Sequence, residues 1–358
     1  MSHAPRPLDD PQRRACADRW VDLASARLGA CVLAVSDEFF APGERLLAAH
    51  EPEQRPGVYD AHGKWMDGWE TRRRRDGGHD WCVVRLGLAG VVRAVDLDTR
   101  HFTGNFPPAA SLEGCLWPAD GIAPADGIAP EDAAPGDDAG WRELLPMVAL
   151  GGDRHNAFTV EGEVEGEGAG TVSHLRLRIH PDGGVARLRV WGEVKPRWDD
   201  VDPAAALDLL AVEHGGRVVD CNDRHYGSPW NLLLPGRGLD MGDGWETRRR
   251  REPGNDWVIL RLGRAGRVDR LEIDTAHFRG NYPDRVSVRA ARIGELPRPA
   301  TVTDSELWPV LLGERPLGPD REHRFEDLGE LGAVDHLRVD IHPDGGLSRV
   351  RAFARLAP

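Results

Sequence analysis

Two stretches of the chain place carboxylates beside runs of arginine. Both read DGWETRRRR, and their charged groups are Asp67, Glu70 and residues 72–75 in the first stretch and Asp243, Glu246 and residues 248–251 in the second. A carboxylate can transfer a proton, and a guanidinium can hold a planar carboxylate through two parallel hydrogen bonds. In an extended segment alternate side chains point to opposite faces, so at most half of each arginine run can meet one ligand. A solvated, salt-bridged strand is an equally good interpretation.

Loops that follow strand-like segments carry a second set of candidates. The sequences DTRHFTGN and DTAHFRGN contain His101 and Asn105 in the first copy and His277 and Asn281 in the second. Loops on a rigid scaffold commonly present functional side chains, so we expect these groups to serve a site. The alternative is that each Asn only occupies a left-handed turn after Gly.

Several neighbouring residues fit structural roles better. We interpret four tryptophans as core residues and four histidines as packing or capping residues: Trp69, Trp81, Trp245, Trp257, His174, His180, His336 and His342. No HExxH, Walker or dinucleotide motif is present, and Ser36 and Ser111 lack a nucleophile elbow. An acyl-enzyme route is therefore not supported.

The chain is an internal repeat. Residues 65–81 match residues 241–257 at 12 of 17 positions, and the loop sequences above share the same offset of 176. The HLRLRIHPDGG block recurs as HLRVDIHPDGG at an offset of 162, so the first copy holds about 14 extra residues. We place the excess in 118–140, a mobile acidic surface loop in which ADGIAP occurs twice. The expected domains are residues 1–200 and 201–358.

Composition narrows the class of partner. The chain has 358 residues and a net charge of -13, which argues against nucleic acid or anionic membranes as ligands. Five scattered cysteines show no disulfide or zinc-ribbon spacing, and neither a signal peptide nor a run of 18 apolar residues occurs. We expect a soluble cytoplasmic protein with a small-molecule ligand. Lys64 and Lys195 are the only lysines against 44 arginines, a bias that weakens the evidence from any single arginine.

Short segments rich in Val, Leu and Ile dominate both copies and predict strands. Residues 80–87, 92–99, 174–180 and 185–192 are examples, and HPDGG between the last two predicts a β-hairpin turn. Helical periodicity is confined to residues 11–26 and a short turn near 203–211. The expected fold class is all-β, with two tandem jelly-roll-like β-sandwich repeats.

At these residues the sequence closely resembles the allantoicase family over nearly its whole length. The shared motifs are WMDGWETRRRR, HDW, DTxHFTGN and PDGG, together with SDEFFAP at residues 36–42. The second copy departs at Asn255, which replaces His79, and at Arg279, which replaces Thr103. The resemblance implies galactose-binding-like jelly rolls, a hydrolase of purine (allantoin) degradation that converts allantoate to ureidoglycolate and urea, and a homo-oligomer. It leaves open whether a divalent metal is needed, and no other cofactor is expected.

The implied reaction breaks an aminal C–N bond, which requires a cation for the carboxylate, groups for the ureido arms and an acid/base pair. We expect Arg72 or Arg74 to bind the carboxylate, and Glu70 or Asp80 to transfer protons with His101. The remaining candidate substrate-binding residues are His79, Asn105, Glu246, Arg248, His277 and Asn281. Because His79 becomes Asn255, we expect the two copies to be non-equivalent.

Two rival interpretations remain. A related ureido hydrolase could act on ureidoglycolate, which shares the carboxylate and the leaving urea. A non-catalytic carbohydrate-binding module would use the same kind of fold, but the polar character of the repeated blocks argues against it. Substrate comparison and sugar retention separate these alternatives.

Overall fold

The computed structural model describes residues 5–117, 134–160, 170–198, 201–202 and 205–357. The chain divides into two compact units, Met1–Lys195 (unit 1) and Pro196–Pro358 (unit 2). Most of the predicted acidic loop 118–140, namely residues 118–133, lies outside the described residues. Neither α-helix found in the described part of the chain is long and apolar enough to cross a membrane.

The described residues of unit 1 form one helix and twelve strands. They are α1 (Asp10–Arg19), β1 (Val21–Asp22), β2 (Cys31–Val35), β3 (Tyr59–Asp60), β4 (Gly63–Lys64), β5 (Trp69–Glu70), β6 (Asp80–Asp98), β7 (Ala109–Cys115), β8 (Arg142–Ala149), β9 (Ala157–Thr159), β10 (Thr171–His180), β11 (Gly184–Val185) and β12 (Arg187–Val194). Short 3₁₀ turns occur at Ala26–Leu28 and Gly43–Leu47.

Unit 2 repeats this order without a counterpart of α1 or of β3 and β4 among its described residues. Its elements are β13 (Leu207–Asp208), β14 (Arg217–Cys221), β15 (Trp245–Glu246), β16 (Asp256–Asp274), β17 (Arg285–Ala291), α2 (Arg298–Asp304), β18 (Val310–Pro316), β19 (Glu322–Phe325), β20 (Val334–His342), β21 (Gly346–Leu347) and β22 (Arg349–Leu356). Its 3₁₀ turns are Val212–His214, Pro229–Leu233, Met241–Asp243 and Ser305–Leu307.

A single long strand organises each unit. The first half of β6 pairs with β2 and β10, and its second half pairs with β9 and β12. The strand order β1-β12-β6-β10-β7-β8 therefore continues from one layer of the sandwich into the other through β6, and β16 does the same in unit 2. All strand pairings in the described part of the chain are antiparallel, as predicted for a β-sandwich. The two strands predicted at 80–87 and 92–99 are instead one strand, β6, which ends at Asp98.

The hairpin predicted at HPDGG is wrong. The flanking strands β10 and β12 do not pair with each other, because each pairs with a different half of β6. The glycines instead begin β11, which pairs with β5 so that Gly184 lies opposite Glu70. The helix expected over residues 11–26 ends at Arg19, and the turn expected near 203–211 contains strand β13 in its described part.

The core lies between the two layers and extends to the WET motif, which is residues 69–71 in unit 1 and 245–247 in unit 2. Leu97, Leu175 and Leu188 are fully buried on the central strands of unit 1. Trp69 and Trp245 are also fully buried, and their indole N–H groups donate to the carbonyls of Asp37 and Asp223 at 2.8 Å each. These two tryptophans have the structural role predicted for them, because they fix the loop that carries each aspartate.

Candidate active site

The strongest candidate for chemistry is a carboxyl and carboxamide pair that both repeats contain. Asn105 Nδ2 donates to Glu70 Oε1 at 2.6 Å, and Asn281 donates in the same way to Glu246. The carbonyl of Asn105 accepts from the Gly184 amide at 2.7 Å, which ties the loop to strand β11. Glu70 is only partly buried, so its second oxygen can still meet a ligand.

Gly184 allows this arrangement by its lack of a side chain. A Cβ on Gly184 would lie 2.1 Å from the buried Phe102 ring, and one on the preceding Gly183, which has φ +143°, would lie 2.6 Å from the Pro107 amide nitrogen. Any larger residue would displace the loop that holds Asn105. The repeated PDGG sequence therefore positions the Glu70–Asn105 pair rather than closing a hairpin.

Burial affects the acidity of Glu70. Desolvation raises the pKa of its carboxyl group, and the Asn105 hydrogen bond and the positive charge of Lys64 offset only part of that increase. A carboxyl group with a raised pKa retains its proton to higher pH, which suits it to donate a proton to a leaving group.

Arg72 follows Glu70 by two residues in the chain and is partly engaged. Its Nε donates to Asp37 Oδ2 at 2.7 Å, and its guanidinium lies 5.2 Å from the centre of the Phe39 ring. Arg248 contacts Asp223 in the same way, at 2.8 Å. About two thirds of the Arg72 side chain is exposed, so part of its guanidinium remains open to an anion.

Arg74 does not fit the predicted role of substrate binding. Its Nε and Nη2 donate to Asp76, while Nη1 donates to the His79 carbonyl and to Asp80 Oδ1, both at 2.8 Å. Four of the five guanidinium donors are therefore used inside the loop. The neighbouring Arg73 and Arg75 are exposed and make no ion pair with any described residue.

Asp80 does not fit the predicted role of a proton-transfer group either. Its side chain is almost fully buried, and Oδ1 accepts from both Arg74 and the Ser36 hydroxyl, the latter at 2.9 Å. The equivalent Asp256 accepts from Arg250 and Asn222. A buried carboxylate already paired with a guanidinium is an anchor, because the ion pair fixes its position in the loop.

His101 is held as a loop anchor rather than as a free base. Its backbone has φ +73°, its amide donates to Asp153 Oδ1 at 2.8 Å, and its Nε2 lies 3.0 Å from the Pro52 carbonyl. Because a carbonyl can only accept, Nε2 carries the proton. His277 repeats this arrangement, with Nε2 2.9 Å from the Gly238 carbonyl. Both histidines thus position the loops of their repeats.

His79 makes no hydrogen bond or ring contact to Glu70 or Asn105. Its ring lies 4.9 Å from that of His180, and desolvation together with the nearby Arg178 lowers its pKa. In unit 2 the equivalent Asn255 donates to Asp340 at 2.9 Å. The residue at position 79 differs between the repeats, and in neither repeat does it hydrogen-bond to the carboxyl and carboxamide pair among the described residues.

The first aspartate of the motif is also structural. Asp67 Oδ2 accepts from Arg187 Nη2 at 2.7 Å, and the Arg187 side chain is fully buried. Arg187 donates further to the carbonyls of Arg45, Asp67, His50 and Ala186. Arg349 and Asp243 form the same pair in unit 2, at 2.8 Å. This buried pair joins the segment before the WET motif to strand β12 in unit 1 and to strand β22 in unit 2.

Sequence reasoning missed Asp37 and Lys64. Asp37 and Asp223 occupy the same place in the paired blocks SDEFF and NDRHY, and that repeat was the available signal for an arginine partner. Lys64 gives no repeat signal, because it lies in the β3–β4 hairpin, which has no counterpart among the described residues of unit 2.

The described residues include one group with ligand atoms close enough for a metal ion, namely Glu51, Asp98 and His155. The guanidinium of Arg100 donates to both carboxylates, reaching Asp98 Oδ2 at 2.6 Å. A fixed positive charge within the ligand set opposes binding of a cation. These residues therefore fit an ion-pair network and do not fit a metal centre.

Comparisons with known proteins agree with the sequence resemblance. The family model described as the allantoicase repeat matches residues 21–195 and 207–357. "Probable allantoicase 2" of Burkholderia pseudomallei is 50% identical and covers 98% of this chain and 99% of its own length, and "Probable allantoicase" of Pseudomonas paraeruginosa is 50% identical over 94% and 96%.

A solved structure agrees at the level of the fold. The crystal structure of allantoicase from Saccharomyces cerevisiae matches with a TM-score of 0.79 at 31% identity, covering 98% of this chain and 99% of that one. Two copies of the repeat model account for nearly all described residues. The chain therefore belongs to the allantoicase family and consists of two tandem allantoicase repeats.

Proposed function

We propose that this chain hydrolyses allantoate to ureidoglycolate and urea in purine catabolism, and that the Glu70–Asn105 pair carries the chemistry. The observation that supports the site is that Glu70 is a half-buried carboxyl group with a raised pKa and accepts a hydrogen bond from the Asn105 carboxamide. The chain that contains this pair belongs to the allantoicase family. The observation that supports the substrate is the name shared by the relatives.

In the first step, protonated Glu70 donates its proton to the nitrogen of one ureido arm. The bond from that nitrogen to the central carbon breaks, the bonding electrons stay with the nitrogen, and neutral urea leaves. The lone pair of the remaining ureido nitrogen forms a C=N bond, which leaves an acyliminium beside the newly ionised Glu70. The carboxylate stabilises the positive charge that develops.

In the second step, water adds to the electrophilic carbon. Glu70 takes a proton from that water, so the new C–O bond gives ureidoglycolate and the carboxyl group is restored. Asn105 is a positioning residue in this scheme, and its free carboxamide oxygen can accept from a ureido N–H. Arg72 is available to orient the substrate through its open guanidinium face, whereas His101 and Asp80 keep the loops in place.

The direct test is release of urea from allantoate by the purified protein, with and without a chelator. We expect urea release at the same rate in both conditions. Among the described residues, the one cluster of His and carboxylate groups is already paired with Arg100, whose positive charge opposes binding of a metal ion. Ureidoglycolate assayed in parallel distinguishes the related hydrolase. Loss of activity on chelation with recovery on a divalent ion would contradict the proposed acid mechanism, and absence of urea from allantoate would contradict the function.

The pH profile tests the protonation state of Glu70. Since Glu70 acts as an acid, kcat/KM should fall as pH rises through its pKa. The Asn105 hydrogen bond lowers that pKa, so Asn105→Ala should move the falling limb to higher pH while also lowering kcat. Glu143→Gln, which neutralises an exposed strand carboxylate, is the control with an unchanged limb. A shift to lower pH in Asn105→Ala would contradict this role.

The homo-oligomer implied by the family resemblance and the cytoplasmic location both stay predictions. Light scattering coupled to size exclusion measures the first, and fractionation of the native cells measures the second.

A further inference from the structure

The loop that carries Asp37 runs alongside Glu70. Residues 37–41, the Asp37 loop, meet strand β5 through a β-bridge between Ala41 and Glu70. The Ala41 amide donates to the Glu70 carbonyl at 3.3 Å, and the Glu70 amide donates to the Ala41 carbonyl at 3.2 Å. At the other end of the loop, the Trp69 indole donates to the Asp37 carbonyl. These contacts fix the loop backbone without using the Asp37 side chain.

Arg72 projects from the same face of the chain as Glu70. The Thr71 amide donates to the Gly183 carbonyl at 3.1 Å, so the extended pairing with β11 continues past Glu70. Trp69 and Thr71 are buried, whereas Glu70 is partly exposed and Arg72 is exposed. Side chains two residues apart in an extended segment share one face, with their Cα atoms about 7 Å apart. Glu70 and Arg72 therefore both face away from the core.

Asp37 holds the guanidinium of Arg72 in one orientation. Its Oδ2 accepts from Arg72 Nε at 2.7 Å and lies 2.6 Å from Nη2, and its Oδ1 accepts from the Arg72 amide at 3.0 Å. The guanidinium also lies 5.2 Å from the centre of the Phe39 ring. Nη1 makes no hydrogen bond with any described residue, so that end of the guanidinium is open to an oxygen anion.

Stability alone does not explain this contact. About two thirds of the Arg72 side chain is exposed, and exposed ion pairs contribute about 0–1 kcal/mol. The Asp37 carboxylate also cancels part of the positive charge of Arg72, so it does not increase the attraction for an anion. What it supplies is direction, because a guanidinium that is already held loses less side-chain freedom when a ligand binds.

The second repeat keeps the same contact on a different loop sequence. Asp223 Oδ2 accepts from Arg248 Nε at 2.8 Å, and Oδ1 accepts from the Arg248 amide at 3.2 Å. Of the five positions in SDEFF (36–40) and NDRHY (222–226), only the aspartate is identical. Burial opposes ionisation of both aspartates, but hydrogen bonds from the arginines outweigh it and lower their pKa. The repeats thus retain the ionised partner of the arginine while its neighbours change.

We propose that Asp37 is a positioning residue, which directs the open end of the Arg72 guanidinium to the carboxylate of the substrate. This rests on the proposed function, which supplies a substrate whose carboxylate and ureido nitrogens are bonded to one carbon. Arg72 binds the anion, and the ureido nitrogen beside it is then presented to Glu70. Asp37 acts only through Arg72.

A double-mutant cycle provides the first test. Arg72→Gln removes the cation, so kcat/KM for allantoate should fall about 10- to 100-fold, mainly through KM. Asp37→Asn removes an acceptor for Nε and should raise KM about 10-fold. Loss of the negative charge alone would lower KM for an anion, so the rise identifies lost direction. The double variant should be no worse than Arg72→Gln, because Asp37 has no other route to the substrate.

Two further variants separate direction from charge and from general effects. Arg72→Lys keeps the charge but not the planar fork, so it should recover little of the loss in Arg72→Gln. Arg73→Gln makes the same chemical change at the next exposed arginine, which forms no ion pair with any described residue, and should leave the kinetics unchanged. Circular dichroism checks that each variant is folded.

Calorimetric titration provides a readout that does not depend on turnover. In the Glu70→Gln background, Asp37→Asn should weaken allantoate binding about 10-fold. Binding of urea, which lacks a carboxylate, should be the same with and without Asp37→Asn.

The outcomes separate the two proposals. An active wild type would leave the proposed function intact, yet the role of Asp37 would be overturned by an unchanged or lower KM in Asp37→Asn, by additive losses in the double variant, or by full recovery in Arg72→Lys. A wild type that releases no urea, combined with weaker allantoate binding in Asp37→Asn, would overturn the function and support the directed anion site.

Discussion

Glu70→Gln is expected to lower kcat for urea release from allantoate by about 10²–10⁴-fold, the range typical of a lost general acid. Glutamine has nearly the same shape and still offers an oxygen to Asn105 Nδ2, so the loop should stay in place. The substitution removes only the ionisable carboxyl group that would donate the proton. The measurement is steady-state turnover, accompanied by circular dichroism to show that the fold is unchanged.

The size of the loss also decides how many sites work. If the Glu246–Asn281 pair turned over substrate as well, Glu70→Gln would retain about half of the wild-type rate. That result would contradict a single working site in unit 1. Glu143→Gln is the matched control, because it makes the same chemical change on an exposed carboxylate of strand β8.

Asp67→Ala is expected to destabilise unit 1 by about 3–5 kcal/mol, the cost of leaving a buried charge without its partner. The Arg187 side chain is fully buried, and Asp67 is its carboxylate. The change also leaves the Glu53 amide without its acceptor, since that amide donates to Asp67 Oδ2 at 2.8 Å. Guanidinium chloride unfolding, followed by tryptophan fluorescence, measures the loss as a lower midpoint of the unit 1 transition.

Glu193→Ala is the control for that measurement. Glu193 pairs with Arg93 at 3.2 Å, and about a third of each side chain is exposed. Pairs of this kind contribute about 0–1 kcal/mol, so the midpoint should barely move. If Asp67→Ala and Glu193→Ala lowered the free energy of unfolding of unit 1 equally, the buried Asp67–Arg187 pair would not be a main source of that stability.

The two repeats show that a shared framework can carry different sites. Both keep the buried arginine and aspartate pair, the indole contact to the loop and the carboxyl and carboxamide pair. They differ in the β3–β4 hairpin, which has no counterpart among the described residues of unit 2.

The sequence by itself determined the repeat, the all-β class and the family. These depend on local information: residue identity at a fixed offset, and the alternation of apolar residues in strands. It also identified Glu70 and Asn105 as candidates, because two copies retained both residue types at the same spacing.

Only the tertiary structure decided which charged residues are free. Arg72, Arg74 and Asp80 are all candidates in the sequence. In the structure Arg74 donates a hydrogen bond to Asp80, so both are engaged, whereas most of the Arg72 side chain stays exposed. The same holds for HPDGG, whose Gly184 faces the Phe102 ring and whose Gly183 faces the backbone of residues 105–107. Hydrogen-bond partners and close contacts join residues that are distant in the chain, so a local sequence pattern cannot reveal them. The identity and spacing of repeated residues, in contrast, can be recognised directly in the sequence.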